Sequence, residues 1–133
     1  MKNLLPSEKI YIKQSQIPKA GRGIYAKDDI EKGEVIEVCP VIEISEHDAS
    51  NVKEGILTTY IYYSGKNKEK ALIALGFGSI YNHTYAPNAQ YRINDAEQTI
   101  TFAAILDIKK DTEITVNYNH ETTKDIKPLW FEW

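Results

Sequence analysis

A mostly-β fold of short strands is what this sequence predicts, and three observations predict it. Valine, isoleucine and aromatic residues gather in brief runs, such as Ile10-Tyr11-Ile12, Ile24-Tyr25-Ala26 and Ile114 to Tyr118, as strands require. Glycine and proline punctuate the intervals, at Pro18, Gly21, Gly23, Gly33, Pro40, Gly55, Gly76 and Gly78. Only one stretch, after Ser45, carries a helix-start signal, so little helix is expected.

In chain order, Ile10-Tyr11-Ile12 is the first strand. Ile17 to Gly23 is a loop, broken by Pro18, Gly21 and Gly23, and Ile24-Tyr25-Ala26 is β-prone. Asp28 to Gly33 is a polar turn. Glu34 to Ile44 is rich in Val and Ile and reads as one long strand, or as two around Pro40, which cannot donate to a ladder. Ser45-Glu46-His47-Asp48 combines an oxygen-bearing cap with an acid three residues on; Gly55 keeps that helix short. Ile56 to Tyr63 reads as a strand from its β-branched and aromatic content.

Ser64 to Lys70 is a charged loop, and Ala71 to Leu75 is a short apolar element ended by Gly76-Phe77-Gly78. Thr99 to Ile108 is a strand preceded by a turn at Asn94 to Glu97. Glu113 to Tyr118 alternates, with Ile114, Val116 and Tyr118 on one face and Thr115 and Asn117 on the other. The last residues are polar and then close on Leu129-Trp130-Phe131-Glu132-Trp133. A small sandwich or barrel is the architecture this pattern suggests.

With 133 residues, a single domain spanning 1–133 is expected. A formal net charge of −3 disfavours gripping a phosphate backbone, so no direct nucleic-acid binding is expected. It suits a basic partner, and it equally suits simple solubility. One cysteine, Cys39, can form neither an internal disulfide nor a four-cysteine zinc site. No stretch approaches the ~20 apolar residues of a membrane helix, and no leader segment is evident at the start. A cytoplasmic setting is expected, or a nuclear one in a eukaryotic or viral source. The histidines, His47, His83 and His120, have no companion ligands in the sequence, so no metal site is expected.

Four blocks carry more than fold. Gly21-Arg22-Gly23-Ile24-Tyr25-Ala26 is followed by Ile30-Glu31-Lys32-Gly33-Glu34-Val35-Ile36. Next come Ala74-Leu75-Gly76-Phe77-Gly78-Ser79-Ile80-Tyr81 and Asn82-His83-Thr84-Tyr85-Ala86-Pro87-Asn88-Ala89. The last is Asp111-Thr112-Glu113-Ile114-Thr115-Val116-Asn117-Tyr118. In this order they resemble the SET domain family, with its opening G-x-G, its N-H-x-x-x-P-N and its terminal E-x-T-x-x-Y. The likeness runs from about Ser7 to Tyr118, and is strongest to the minimal SET proteins of large algal viruses and their stand-alone bacterial relatives. It implies a SET-type β-clip of small curved sheets, with a C-terminal pseudoknot threaded under the Asn82 block.

The resemblance also implies a chemistry: methyl transfer from S-adenosylmethionine to a lysine side chain of a protein. That is an in-line displacement, in which positioning supplies most of the gain. Lysine's reference pKa is about 10.4, and a narrow apolar channel disfavours its charged form, so no strong base is required. Carried over residue by residue, Gly21, Arg22, Gly23 and Ile24 contact the cofactor. Asn82 and His83 do so as a pair, with the Asn82 amide matching the amino and carboxylate ends of the methionine part. Tyr118 is the central catalytic residue. Tyr60 lines the lysine channel with Tyr62 beside it and Tyr63 as a further candidate; each also suits ordinary packing.

Larger relatives close with a cysteine-rich segment; here no cysteine follows Cys39 in the 133 residues. In its place the tail, 119–133, is expected to close the pocket, with Trp130 stacking on the adenine. Four residues after Tyr118, where the viral proteins carry a further tyrosine, stands Thr122. The expected partner is a protein with an accessible lysine, a basic tail such as that of a histone or ribosomal protein, and a homodimer follows the viral analogy. The alternative is a catalytically silent SET-like module that binds peptide or cofactor.

Overall fold

In a computed structural model, residues 3–64 and 70–119 are described. Nine strands and one short helix form them, in two sheets. The first sheet has the order β1-β2-β9-β6, from β1 (Ile10–Gln14), β2 (Arg22–Ala26), β9 (Glu113–Val116) and β6 (Asn82–His83). The second has the order β4-β5-β3-β8-β7, from β3 (Val35–Ile44), β4 (Ile61–Ser64), β5 (Lys70–Ala74), β7 (Ala89–Asn94) and β8 (Thr99–Ala104). The mostly-β, helix-poor expectation holds.

The long strand β3 resolves the choice around Pro40. It is continuous, yet it changes partner there: Val35 to Pro40 pair with β8, and Val41 to Ile44 pair with β5. A residue without an N–H fits at such a switch. The Pro40 carbonyl still accepts from the Leu75 N–H at 2.9 Å. The helix α1 (Glu46–Lys53) starts as expected, with the Ser45 side chain accepting from the Asp48 N–H.

Three readings need correction. Ile56 to Tyr63 is not one strand: Ile56–Thr59 is a 3₁₀ turn, and β4 begins at Ile61. The Thr59 hydroxyl donates to the Ile56 carbonyl at 2.8 Å, and Ile56 and Leu57 are exposed. Strand propensity counts only where packing enforces it. β8 stops at Ala104, where its backbone exchanges bonds with Gly33 and Glu34; Ile108 instead bridges Ile30. The strands β6 and β7 had no counterpart in the sequence reading.

The main core gathers Ile24, Ile36, Leu72, Tyr81, Ile100, Phe102, Ile108, Ile114 and Val116, all essentially inaccessible to solvent. Each fully buried aliphatic side chain is worth about 1.5–3 kcal/mol. This burial seats β9 between β2, its antiparallel neighbour, and β6, which runs parallel to it. Asn88 reinforces the arrangement. Its amide nitrogen donates to the Glu113 carbonyl and its oxygen accepts from the Thr115 N–H, each at 2.9 Å. The pseudoknot reading finds its described portion in this threading of β9; the tail from residue 120 on, with His120, Thr122 and Trp130, lies outside the described residues, as does most of the charged loop at 65–69.

Replacing Asn88 by alanine removes both bonds and leaves two strand groups unmet. A loss of about 1–3 kcal/mol in unfolding free energy is expected from urea titration; an unchanged midpoint would show that the clamp is dispensable.

Candidate active site

Three strands meet where β9 ends. The parallel pairing of β6 with β9 sets Asn82 beside Thr115 and His83 beside Val116. One turn past β9, the Tyr118 backbone N–H donates to His83 Nδ1 at 3.0 Å, and the Tyr118 carbonyl accepts from the Tyr91 hydroxyl at 3.0 Å. The Tyr118 hydroxyl donates to the Tyr81 carbonyl. Tyr118 is therefore held at its nitrogen, its carbonyl and its hydroxyl.

Tyr60, Tyr62 and Tyr118 line one narrow cleft, with Thr59, Ile61 and Ser79. Tyr62 is buried and donates to the Gly78 carbonyl at 2.7 Å. Tyr60 stands at the mouth, 43% exposed, and its carbonyl accepts from the Ser79 hydroxyl at 2.9 Å. Tyr63 lies elsewhere, under the Lys53 ammonium, and does not line the cleft.

Burial pushes the Tyr62 phenol well above its ordinary pKa, with Tyr118 adding to the effect. It does the same to Tyr118, helped by Tyr60, Tyr91 and Glu113. Both phenols stay protonated at neutral pH. They hand their protons to backbone carbonyls and keep oxygen lone pairs for a donor in the cleft. Neither is a proton acceptor in the acid–base sense.

On the other side of β9 lies the Asn82 amide. Its nitrogen donates to the Arg22 carbonyl at 3.0 Å and to Glu113 Oε2 at 2.9 Å. Glu113 Oε1 accepts from the Ser15 hydroxyl at 2.7 Å. Both amide hydrogens are thus spent, which corrects the expectation that Asn82 offers donor and acceptor alike. Its oxygen has no partner among the described residues and remains able to accept a hydrogen bond.

Gly21 and Gly23 differ in why they are glycine. Gly21 takes a φ of +75°, a conformation that favours glycine, and it borders open space. At Gly23 a Cβ would collide with the Glu113 carboxylate and lie 3.0 Å from Asn82 Nδ2. The demand at Gly23 thus comes from the protein's own polar cluster. Arg22 is exposed and contributes its carbonyl to Asn82. Ile24 is fully buried in the core, so only its backbone is available to a ligand.

An S-adenosylmethionine molecule fits this donor set: an acceptor at Asn82 Oδ1 for its amine, and open space at Gly21. Trp130 lies outside the described residues. Glu113, Tyr81 and Tyr91 were not singled out from the sequence. Glu113 and Tyr81 sat within quoted blocks and were legible there; nothing in its surroundings marked Tyr91. Among the described residues, no cluster of His, Cys, Asp and Glu is arranged to hold a metal, and no helix is long and apolar enough to cross a membrane.

Fold and site together define a small β protein in which the polar cluster around Asn82 and a tyrosine cleft meet at one strand end. The SET domain signature matches residues 21–119, and the chain belongs to the SET domain family. A Schizosaccharomyces pombe protein, the histone-lysine N-methyltransferase specific for H3 lysine-37, is 28% identical over 115 residues, which span 86% of this chain and 72% of that one. The crystal structure of a Plasmodium falciparum protein assigned as a histone methyltransferase is 32% identical, with a TM-score of 0.62 over 84% of this chain and 94% of that one. Polycomb repressive complex 2 of Chaetomium thermophilum, bound to S-adenosylmethionine, shares the fold with a TM-score of 0.71 at 23% identity, covering 88% of this chain and 16% of that one.

His83 supplies a prediction in pH. Burial lowers its pKa to about 4 from 6.5, so the folded state keeps it neutral where an unfolded chain would take up a proton. Its stabilising contribution is complete above about pH 6.5 and is lost as pH falls through about 4. Thermal melts between pH 7 and 4 should therefore fall more steeply for the wild type than for His83→Asn. Parallel curves would place the pH sensitivity elsewhere.

Proposed function

We propose that the cleft of Tyr60, Tyr62 and Tyr118 receives a lysine side chain, and that Asn82, His83 and the Gly21–Ile24 backbone hold the methyl donor. The chain is a protein-lysine N-methyltransferase, and S-adenosylmethionine is its cofactor. The observation that carries the site assignment is the convergence of both motifs on Tyr118, through the His83 bond and the Tyr81 carbonyl.

S-adenosylmethionine supplies a methyl group already activated on a sulfonium. The chain's own part is to position and to dry. Asn82 Oδ1 would accept from the donor's amine, with Arg22 and Glu113 holding the amide nitrogen and so leaving the oxygen for that role. The Tyr118 oxygen, its proton given to Tyr81, accepts from the incoming amine and aims its lone pair. The tyrosine walls exclude water and disfavour the ammonium form, so the amine sheds its proton to solvent on entry. The bound cofactor would supply its methyl group to that neutral amine, and the described residues of the cleft, its phenols protonated, would orient the amine and not act as bases.

The finer reading of the substrate is a basic, lysine-bearing tail, histone-like in chemistry. A net charge of −3 and the histone-methylating relatives support it. Assembly as a homodimer rests on the resemblance to stand-alone viral enzymes. The reading extends to the tail, 119–133, as the element that closes the pocket, with Trp130 over the adenine.

Methyl transfer from labelled S-adenosylmethionine to a panel of basic proteins tests the assignment. Label on lysine is expected with the wild type, and about a hundredfold less with Tyr118→Phe, a loss typical of misplacing the reacting group. Cofactor binding without transfer to any target would favour a silent module. Deleting Leu129 to Trp133 should weaken cofactor affinity about tenfold or more, since stacking on a base is worth about 1–3 kcal/mol; calorimetry showing equal affinity would remove Trp130 from the site.

A further inference from the structure

We propose that Glu37 is a positioning residue for methyl transfer, acting on Tyr118 through Tyr81; this rests on the assignment of Tyr118 above. Glu37 lies in β3, in a stretch that ought to alternate in and out. A register shift between Val35 and Glu37 inserts one extra residue opposite β8. Such a bulge re-aims the side chains beside it, and here Ile36 and Glu37 both turn inward. A carboxylate is thereby buried, 7% exposed. Among the described residues the ion pairs are Lys9–Glu34 and Lys70–Glu43, so none of them compensates Glu37.

A buried carboxylate without a cation is costly unless hydrogen bonds satisfy it, and this one spends its two oxygens on two points of the connection between β5 and β6. Oε2 accepts from the Phe77 N–H at 3.0 Å. The turn there is shaped to admit it: Gly76 has a φ of +64°, and a Cβ on it would lie 2.7 Å from Oε2. Oε1 accepts from the Tyr81 hydroxyl at 2.8 Å. The Tyr81 ring is wholly buried and stacks on Phe102, centroids 4.1 Å apart and 14° from parallel.

Tyr81 is thus fixed at the far end of its side chain and across its ring face. Its own carbonyl is the acceptor for the Tyr118 hydroxyl. The direction of that carbonyl sets where the Tyr118 oxygen points its lone pairs. The relay runs from a carboxylate, through a phenol and its backbone, to the phenol that meets the amine. A Glu37 that served only to hold the Gly76–Phe77 turn would affect stability and leave turnover alone.

The test uses the full chain with the substrate labelled in the panel above, and compares Tyr81→Phe, Glu37→Gln and the double variant. Tyr81→Phe keeps the stacked ring and loses only the hydroxyl, so it decides the matter even if Glu37→Gln fails to fold. Expected is a fall of about tenfold in kcat with KM and cofactor affinity within about twofold, the mark of misorientation and not of lost binding. The double variant should fall no further than either single one. A folded Tyr81→Phe with wild-type kcat, or losses that multiply, would overturn the proposal. A readout independent of turnover is the Tyr118 ring signal in NMR spectra, expected to shift in both single variants; an unmoved signal would also overturn it. A wild type without transferase activity, but with that shift, would count against the functional assignment and leave the relay standing.

Discussion

Everything at this site depends on one strand being held on both sides. β9 is four residues long, too short to hold its place by its own ladder. It is seated by the burial of Ile114 and Val116, by antiparallel β2, by parallel β6 and by the Asn88 amide. Because β6 is the Asn82-His83 pair, seating β9 also brings the Asn82 amide and Tyr118 to one place. Parallel neighbours must come from separate parts of the chain, and here residues 82–83 meet 115–116. The site is a product of topology, and neither block could form it alone.

The chemistry that results uses neutral groups almost throughout. Tyr62 and Tyr118 keep their protons, and His83 remains uncharged near neutral pH. The two phenol hydrogens are committed to backbone carbonyls. A transfer in which a cationic donor meets an uncharged amine has no need of a strong base, and a fixed cationic group beside the donor would oppose it. The charged members, Glu37 and Glu113, stand one layer back and act through Tyr81 and Asn82. Each has a glycine that makes room for it, Gly76 for the first and Gly23 for the second.

Much of this was legible in the sequence. The strand starting at Glu113, the Ser45 helix cap and the tyrosines at 60 and 62 could be read from periodicity, capping chemistry and a family resemblance; the alternation expected to run on to Tyr118 stops with β9 at Val116, and Asn117 is buried. What escaped had physical reasons. The 3₁₀ turn at Ile56–Thr59 carries β-branched residues that packing leaves exposed. β6 is two residues long and has no local signal, since a parallel bridge is defined only by its distant partner. Glu37 sits in a Val- and Ile-rich run where a bulge, invisible in composition, reverses its direction. The Asn82 amide offered two roles on paper, and only its neighbours Arg22 and Glu113 decided which remained.

The most direct test is a crystal structure of the chain with the demethylated cofactor and a lysine peptide from its labelled substrate. The account predicts the cofactor's amine on Asn82 Oδ1, and the lysine nitrogen at the Tyr118 hydroxyl after entry past Tyr60. A lysine entering by any other route, or a cofactor seated away from Asn82, would contradict it.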